Sequence, residues 1–90
     1  MAKESKIADA TTADLGFLRT ELHTGLTLAR LALNADRKDK TDRNRMNARK
    51  AYDAVLRFAP RTMLTQDEAK EIKSRLSELK SDLQTLGEDL

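Results

Sequence analysis

The chain has 90 residues, 36% of them charged and 39% hydrophobic, with three aromatics, no cysteine and a formal net charge of +2. A chain of this length makes one domain with a limited interior, which argues against a large enclosed substrate pocket; the missing cysteines exclude a disulfide framework, a cysteine-rich zinc site and a thiol nucleophile. Met1 to Ala10 alternates small and charged residues where a secretory signal has an apolar run, and no apolar segment approaches a membrane span, so a cytoplasmic protein without membrane attachment is expected.

Residues 1–11 have little to bury and read as a flexible N-terminal tail, followed by a single helical domain over 12–90. Period-two alternation is missing and β-branched residues are few, whereas apolar residues recur at helical spacing over three long stretches, which predicts an all-α fold. The expected helices run over 12–34, 41–59 and 66–87.

The first helix carries more apolar residues than one stripe needs. Leu15, Leu18, Leu22, Leu26, Ala29 and Leu33 fall within an arc of roughly 80° at 100° per residue, while Phe17, Leu28 and Leu31 lie away from it. Full burial of those three is worth roughly 4 to 9 kcal/mol, and either the chain's own helices or another chain must supply the cover. For internal cover, helix 2 takes one face and helix 3 the other, with Met63 and Leu64 closing an end. Gly25, Ala29 and Ala32 form a small-residue strip beside the main face, suited to close approach of another helix backbone. Each interior glycine otherwise costs about 1 kcal/mol relative to alanine.

Between Asn34 and Asn44 apolar residues are almost absent, so 35–40 reads as a charged connection, with Asp36, Asp39 and Thr41 as rival caps. The core face of helix 2 is Ala48, Ala51, Tyr52, Val55, Phe58 and Ala59, with Leu56 at its margin, and Pro60 ends the helix. The third helix has the clearest pattern: Ala69, Ile72, Leu76, Leu79, Leu83 and Leu86, continued by Leu90, form a heptad seam. It opens on Thr65 and Glu68 in a capping-box arrangement and ends near Gly87. The short link from Pro60 to Leu64 favours antiparallel neighbours, giving an antiparallel three-helix bundle, up-down-up.

Charge is unevenly placed. Arg37 to Arg57 carries eight Lys or Arg against three Asp, net +5, and Thr65 to Leu90 has four against seven, net −3. Arg43, Lys50 and Arg57 recur every seven residues opposite the core face, a stripe able to bind anions such as phosphates. The competing reading is a solvated face, because Asp39 with Arg43, Arg49 with Asp53 and Asp53 with Arg57 stand at ion-pair spacing. Tyr52 and Phe58 belong to the core face, so no aromatics interleave for base stacking; Asn44 and Asn47 are the only residues suited to reading base edges.

Parts for catalysis are missing. His23 has Arg19, Thr20, Leu26 and Thr27 at helical-turn spacing, none of them a second metal ligand, and reads as a surface histidine. Ser74, Ser77 and Ser81 have no general base in reach; Gly16 and Gly25 lack phosphate-loop spacing. A non-enzyme is expected, with no catalytic residues, no metal, no cofactor and no small-molecule substrate.

Ala48, Tyr52 and Pro60 stand at the spacing of the second helix of a tetratricopeptide repeat, and this segment resembles that family of helical-hairpin protein-binding modules. The tryptophan, leucine-glycine and tyrosine signature of the family's first helix has no counterpart upstream. The three-helix pattern is also similar to small interaction domains of the microtubule-interacting and trafficking type. These resemblances imply peptide or helix binding. The expected function is a non-catalytic protein-interaction or self-association module, a homodimer or a receptor for a partner helix, acting through Phe17, Leu28 and Leu31. The alternative is a nucleic-acid-binding module acting through Arg43, Lys50 and Arg57.

Overall fold

A computed structural model describes residues 14–90, which hold three helices and no strand. These are α1 (Leu15–Leu33), α2 (Lys38–Phe58) and α3 (Gln66–Thr85), with a 3₁₀ turn, Ala59–Arg61, after α2. The expected tail, 1–11, and the expected first helical residue, 12, lie outside the described residues.

α1 and α3 start where a side chain satisfies a free amide. α1 begins at Leu15, three residues later than the apolar spacing suggests, because extended Asp14 accepts the Phe17 amide at 2.8 Å and caps the helix. At α3 the expected capping box is complete: the Glu68 amide donates to Thr65 Oγ1 at 3.1 Å and the Thr65 amide donates to Glu68 Oε1 at 2.9 Å.

The start of α2 corrects the sequence reading. It begins at Lys38 and not at 41, and none of Asp36, Asp39 or Thr41 caps it; the N-cap is Arg37, whose side chain makes no cap bond. Charge placement replaces the cap. Asp39 sits in the first turn, where the helix dipole favours it, and is held by the Arg37 fork at 2.8 and 3.2 Å, while Lys38 reaches Asp42 at 3.0 Å.

α2 stops at Phe58, and Ala59, Pro60 and Arg61 tighten into the 3₁₀ turn, with the Thr62 amide on the Ala59 carbonyl at 3.1 Å. Thr62 and Thr65, which bracket the link to α3, have extended backbone. Leu64 turns onto the core, while Met63, expected to help close the bundle, is 95% exposed. α3 ends at Thr85, two residues before the expected limit, in a Schellman motif. The Gly87 amide donates to the Gln84 carbonyl and the Glu88 amide to the Leu83 carbonyl at 3.0 and 2.9 Å, with Gly87 at φ +101°.

The core joins Leu18, Leu22, Leu26 and Ala29 of α1, Ala48, Tyr52 and Val55 of α2, and Ile72, Leu79 and Leu83 of α3. Leu18, Leu22, Val55, Leu79 and Leu83 are wholly buried, each contributing about 1.5–3 kcal/mol. In the heptad seam of α3, Leu76, Leu86 and Leu90 are partly buried and Ala69 is exposed. α1 is the central element: it packs most extensively on α2, less on α3, and α2 and α3 meet least. Gly25 marks the closest approach, since a Cβ there would lie 2.7 Å from Leu79 Cδ2 and 3.2 Å from Ala51 Cβ.

Candidate functional site

The cations of α2 fall into two groups. Lys38, Arg45 and Arg49 are paired: Lys38 with Asp42, Arg45 with Asp42 and Glu88, and Arg49 with Asp53 and Glu88. Lys40, Arg43, Lys50 and Arg57 make no ion pair with any described residue. On the helix wheel the paired cations share an arc of roughly 40° and the unpaired ones an arc of roughly 100° on another side. Of the three ion pairs expected from spacing, Arg49 with Asp53 forms, at 3.0 Å. The other two do not, because Asp39 is taken by Arg37 and Asp53 by Arg49.

The paired group is organised by Glu88. Its carboxylate, only 14% exposed, accepts from Arg49 Nη1 at 2.6 Å and Arg45 Nη1 at 2.9 Å. The Schellman turn carries the chain back so that this carboxylate meets α2. The Arg49 guanidinium is raised above its ordinary pKa, first by its hydrogen bond to Asp53 and then by that to Glu88. On another flank, Arg19 of α1 forms a two-pronged pair with Glu71 of α3, with Nε and Nη2 each 2.7 Å from a carboxylate oxygen. That hydrogen bonding holds Glu71 below the usual carboxylate range.

The four unpaired cations border two open hollows. Lys40 and Arg43, with Leu31, Asn34, Ala35, Asp36 and Asn44, line one at the α1–α2 turn. Lys50 and Arg57, with Asp53, Ala54 and Phe58, line the other toward the end of α2. The Arg57 guanidinium lies over the Phe58 ring at 5.6 Å. Phe58 in turn meets Phe17 of α1 edge to face, at a centroid distance of 5.6 Å and an interplanar angle of 86°.

This arrangement joins two sets of residues that the sequence leaves separate. Phe17, 37% exposed, meets the ring of Phe58, which lines the Lys50–Arg57 hollow. Leu31, 52% exposed, lines the other hollow together with Arg43. Leu28 is half-buried and packs against the core. Leu31 directly, and Phe17 through Phe58, therefore share an edge with the heptad cations of α2, and Leu28 does not.

Lys40 and Phe58 belong to this edge and were not assigned to it from sequence. Lys40 lies in the stretch that reads as a loop, and Phe58 reads as core. The available signal was that Lys40 precedes Arg43 by one helical turn once α2 is extended to Lys38. Asn44 lines the first hollow and Asn47 is exposed. His23 is exposed, and no group of three or more His, Asp or Glu able to hold a metal ion exists among the described residues. No helix among them is long and apolar enough to cross a membrane.

No protein-family model, no curated protein and no solved structure matches the chain.

Proposed function

We propose that the chain is a non-catalytic helical interaction module that engages another helix, of a second copy or of a different protein, through the outer α1–α2 edge. Its frame is an up-down-up antiparallel bundle. Supporting that frame, Phe17 near the start of α1 meets Phe58 at the end of α2, and Arg19 near the start of α1 meets Glu71 near the start of α3.

One observation carries the reading: every cation of α2 that lacks an ion pair lies on the edge that also carries Leu31, Phe17 and Phe58. A merely solvated face has no reason to gather its unpaired charge beside apolar side chains, whereas helix-binding surfaces combine apolar anchors with a charged rim. The resemblance of α2 to the second helix of a tetratricopeptide hairpin points the same way.

The same cations favour the nucleic-acid reading as a second possibility, but the aromatic inventory weighs against it. Tyr52 is buried, Phe58 is engaged by Phe17 and Arg57, and Phe17, 37% exposed, is left as a single ring, short of the series of rings on which successive bases stack.

The test is mass in solution from dilute to millimolar protein, together with amide-shift mapping by NMR against acidic and basic amphipathic helical peptides. Self-association that Leu31→Lys abolishes, or peptide-induced shifts clustered at residues 31, 43, 50 and 57, supports the module. A monomer at every concentration that responds to neither peptide overturns it.

A further inference from the structure

Resting on that reading of the edge, we propose that its occupant is an acidic amphipathic helix of another protein, with carboxylates at seven-residue intervals and apolar side chains between them. Arg43, Lys50 and Arg57 recur every seven residues along a continuous helix, a repeat of about 10.5 Å. A second helix laid alongside repeats its own side chains at the same interval, so carboxylates spaced by seven meet all three cations in one register. Lys40, one turn before Arg43, widens the positive end.

The apolar half of the match comes from Leu31 at one end and from Phe17 and Phe58 at the other. These suit leucine or phenylalanine side chains placed one turn from the carboxylates. Two aspartates border the hollows. Asp53 is held by Arg49 at 3.0 Å, and Asp36 stands at the α1–α2 turn, where it repels a carboxylate placed beyond Arg43 and so helps fix the register.

A nucleic-acid strand fits less well. Its phosphates advance about 3.4 Å along the duplex axis per nucleotide, so cations 10.5 Å apart meet only about one in three, and the apolar residues go unused. A second copy of the chain offers carboxylates on α3, but Glu71 is engaged by Arg19 and Glu68 by the Thr65 amide.

The probe is a synthetic helical peptide with glutamates at seven-residue spacing and leucines one turn from each, compared with an isomer whose glutamates sit on the opposite face, with a version carrying lysines in their place, and with mixed-sequence oligonucleotides. Titrations followed by amide shifts should show the first peptide binding at Leu31, Arg43, Lys50 and Arg57, more weakly at high salt. Charge reversal by Arg43→Glu, Lys50→Glu and Arg57→Glu together should weaken it at least about tenfold, with the helical spectrum kept because these side chains are exposed and form no ion pair. Leu31→Ser, which removes the apolar contact without adding charge, is an independent variant and should weaken it several-fold. Equal binding of the isomer, or preference for the oligonucleotide, overturns the inference. If the lysine peptide or a second copy occupies the edge instead, the acidic partner is wrong while the interaction module stands; if nothing binds, both fall.

Discussion

A Cβ on Gly25 would stand 2.7 Å from Cδ2 of Leu79, closer than real carbon atoms pack, and Leu79 is wholly buried, so its side chain can shift only against its core neighbours. The glycine is therefore where α1 admits both of its neighbours, since Ala51 of α2 also lies 3.2 Å from the same point. Gly25→Ala should destabilise by about 1–2 kcal/mol, overpacking outweighing the roughly 1 kcal/mol gain in helix propensity. Gly16 is the internal control. A Cβ there meets only Asp14 Oδ1 at 3.4 Å, so Gly16→Ala should be neutral or stabilising by about 0.5 kcal/mol. Urea unfolding of both variants checks the pair of signs, and a destabilised Gly16→Ala with an unaffected Gly25→Ala would refute the packing account.

The two ends of α3 make a second prediction. Thr65→Ala removes the acceptor for the Glu68 amide and should cost about 1 kcal/mol. Gly87→Ala forces an L side chain to φ +101° and should cost about 1–2 kcal/mol. The second variant should also displace Glu88, so Arg45 and Arg49 side-chain resonances should shift in Gly87→Ala and stay unmoved in Thr65→Ala.

Acid stability should report the Arg19–Glu71 pair. The hydrogen bonds from Arg19 hold the folded pKa of Glu71 below its ordinary value, which is about 4.3 in an unfolded chain. The pair's contribution is thus present above that pH and is lost as the pH falls through the lower folded value. Thermal unfolding of Glu71→Gln should show a shallower loss of stability than the parent below about pH 4.3, and parallel curves for the two proteins would contradict the linkage.

Leu28 and Leu31 should behave differently although the helix wheel groups them. Leu28 packs against the core and Leu31 is 52% exposed. Leu28→Ala should destabilise by about 1–2 kcal/mol, and Leu31→Ala by no more than about 0.5 kcal/mol. For that reason a polar substitution at Leu28 mixes unfolding with loss of binding, and Leu31→Ser is the cleaner probe of the edge.

Much of the fold was legible because it is specified locally. The 3,4 spacing of Ile72, Leu76, Leu79 and Leu83 and the Thr65–Glu68 box each act within one or two helical turns; the box forms as read, and of the seam Ile72, Leu79 and Leu83 are buried while Ala69 is exposed. The start of α2 was not legible, because no capping residue marks it. Its first turns rest on Arg37, Asp39, Lys38 and Asp42, whose ion pairs are indistinguishable in sequence from those of a charged loop.

By itself, then, the sequence determined the helix types, most of the core faces and the heptad spacing of Arg43, Lys50 and Arg57, since backbone periodicity and caps depend on near neighbours. Only the tertiary structure decided which cations stay unpaired. Arg45 and Arg49 are engaged by Glu88, 43 and 39 residues away, and Leu31 comes to share a hollow with Arg43 at the turn between α1 and α2. Ion pairing and apolar cover are settled by which helices lie side by side, and that depends on the whole bundle at once.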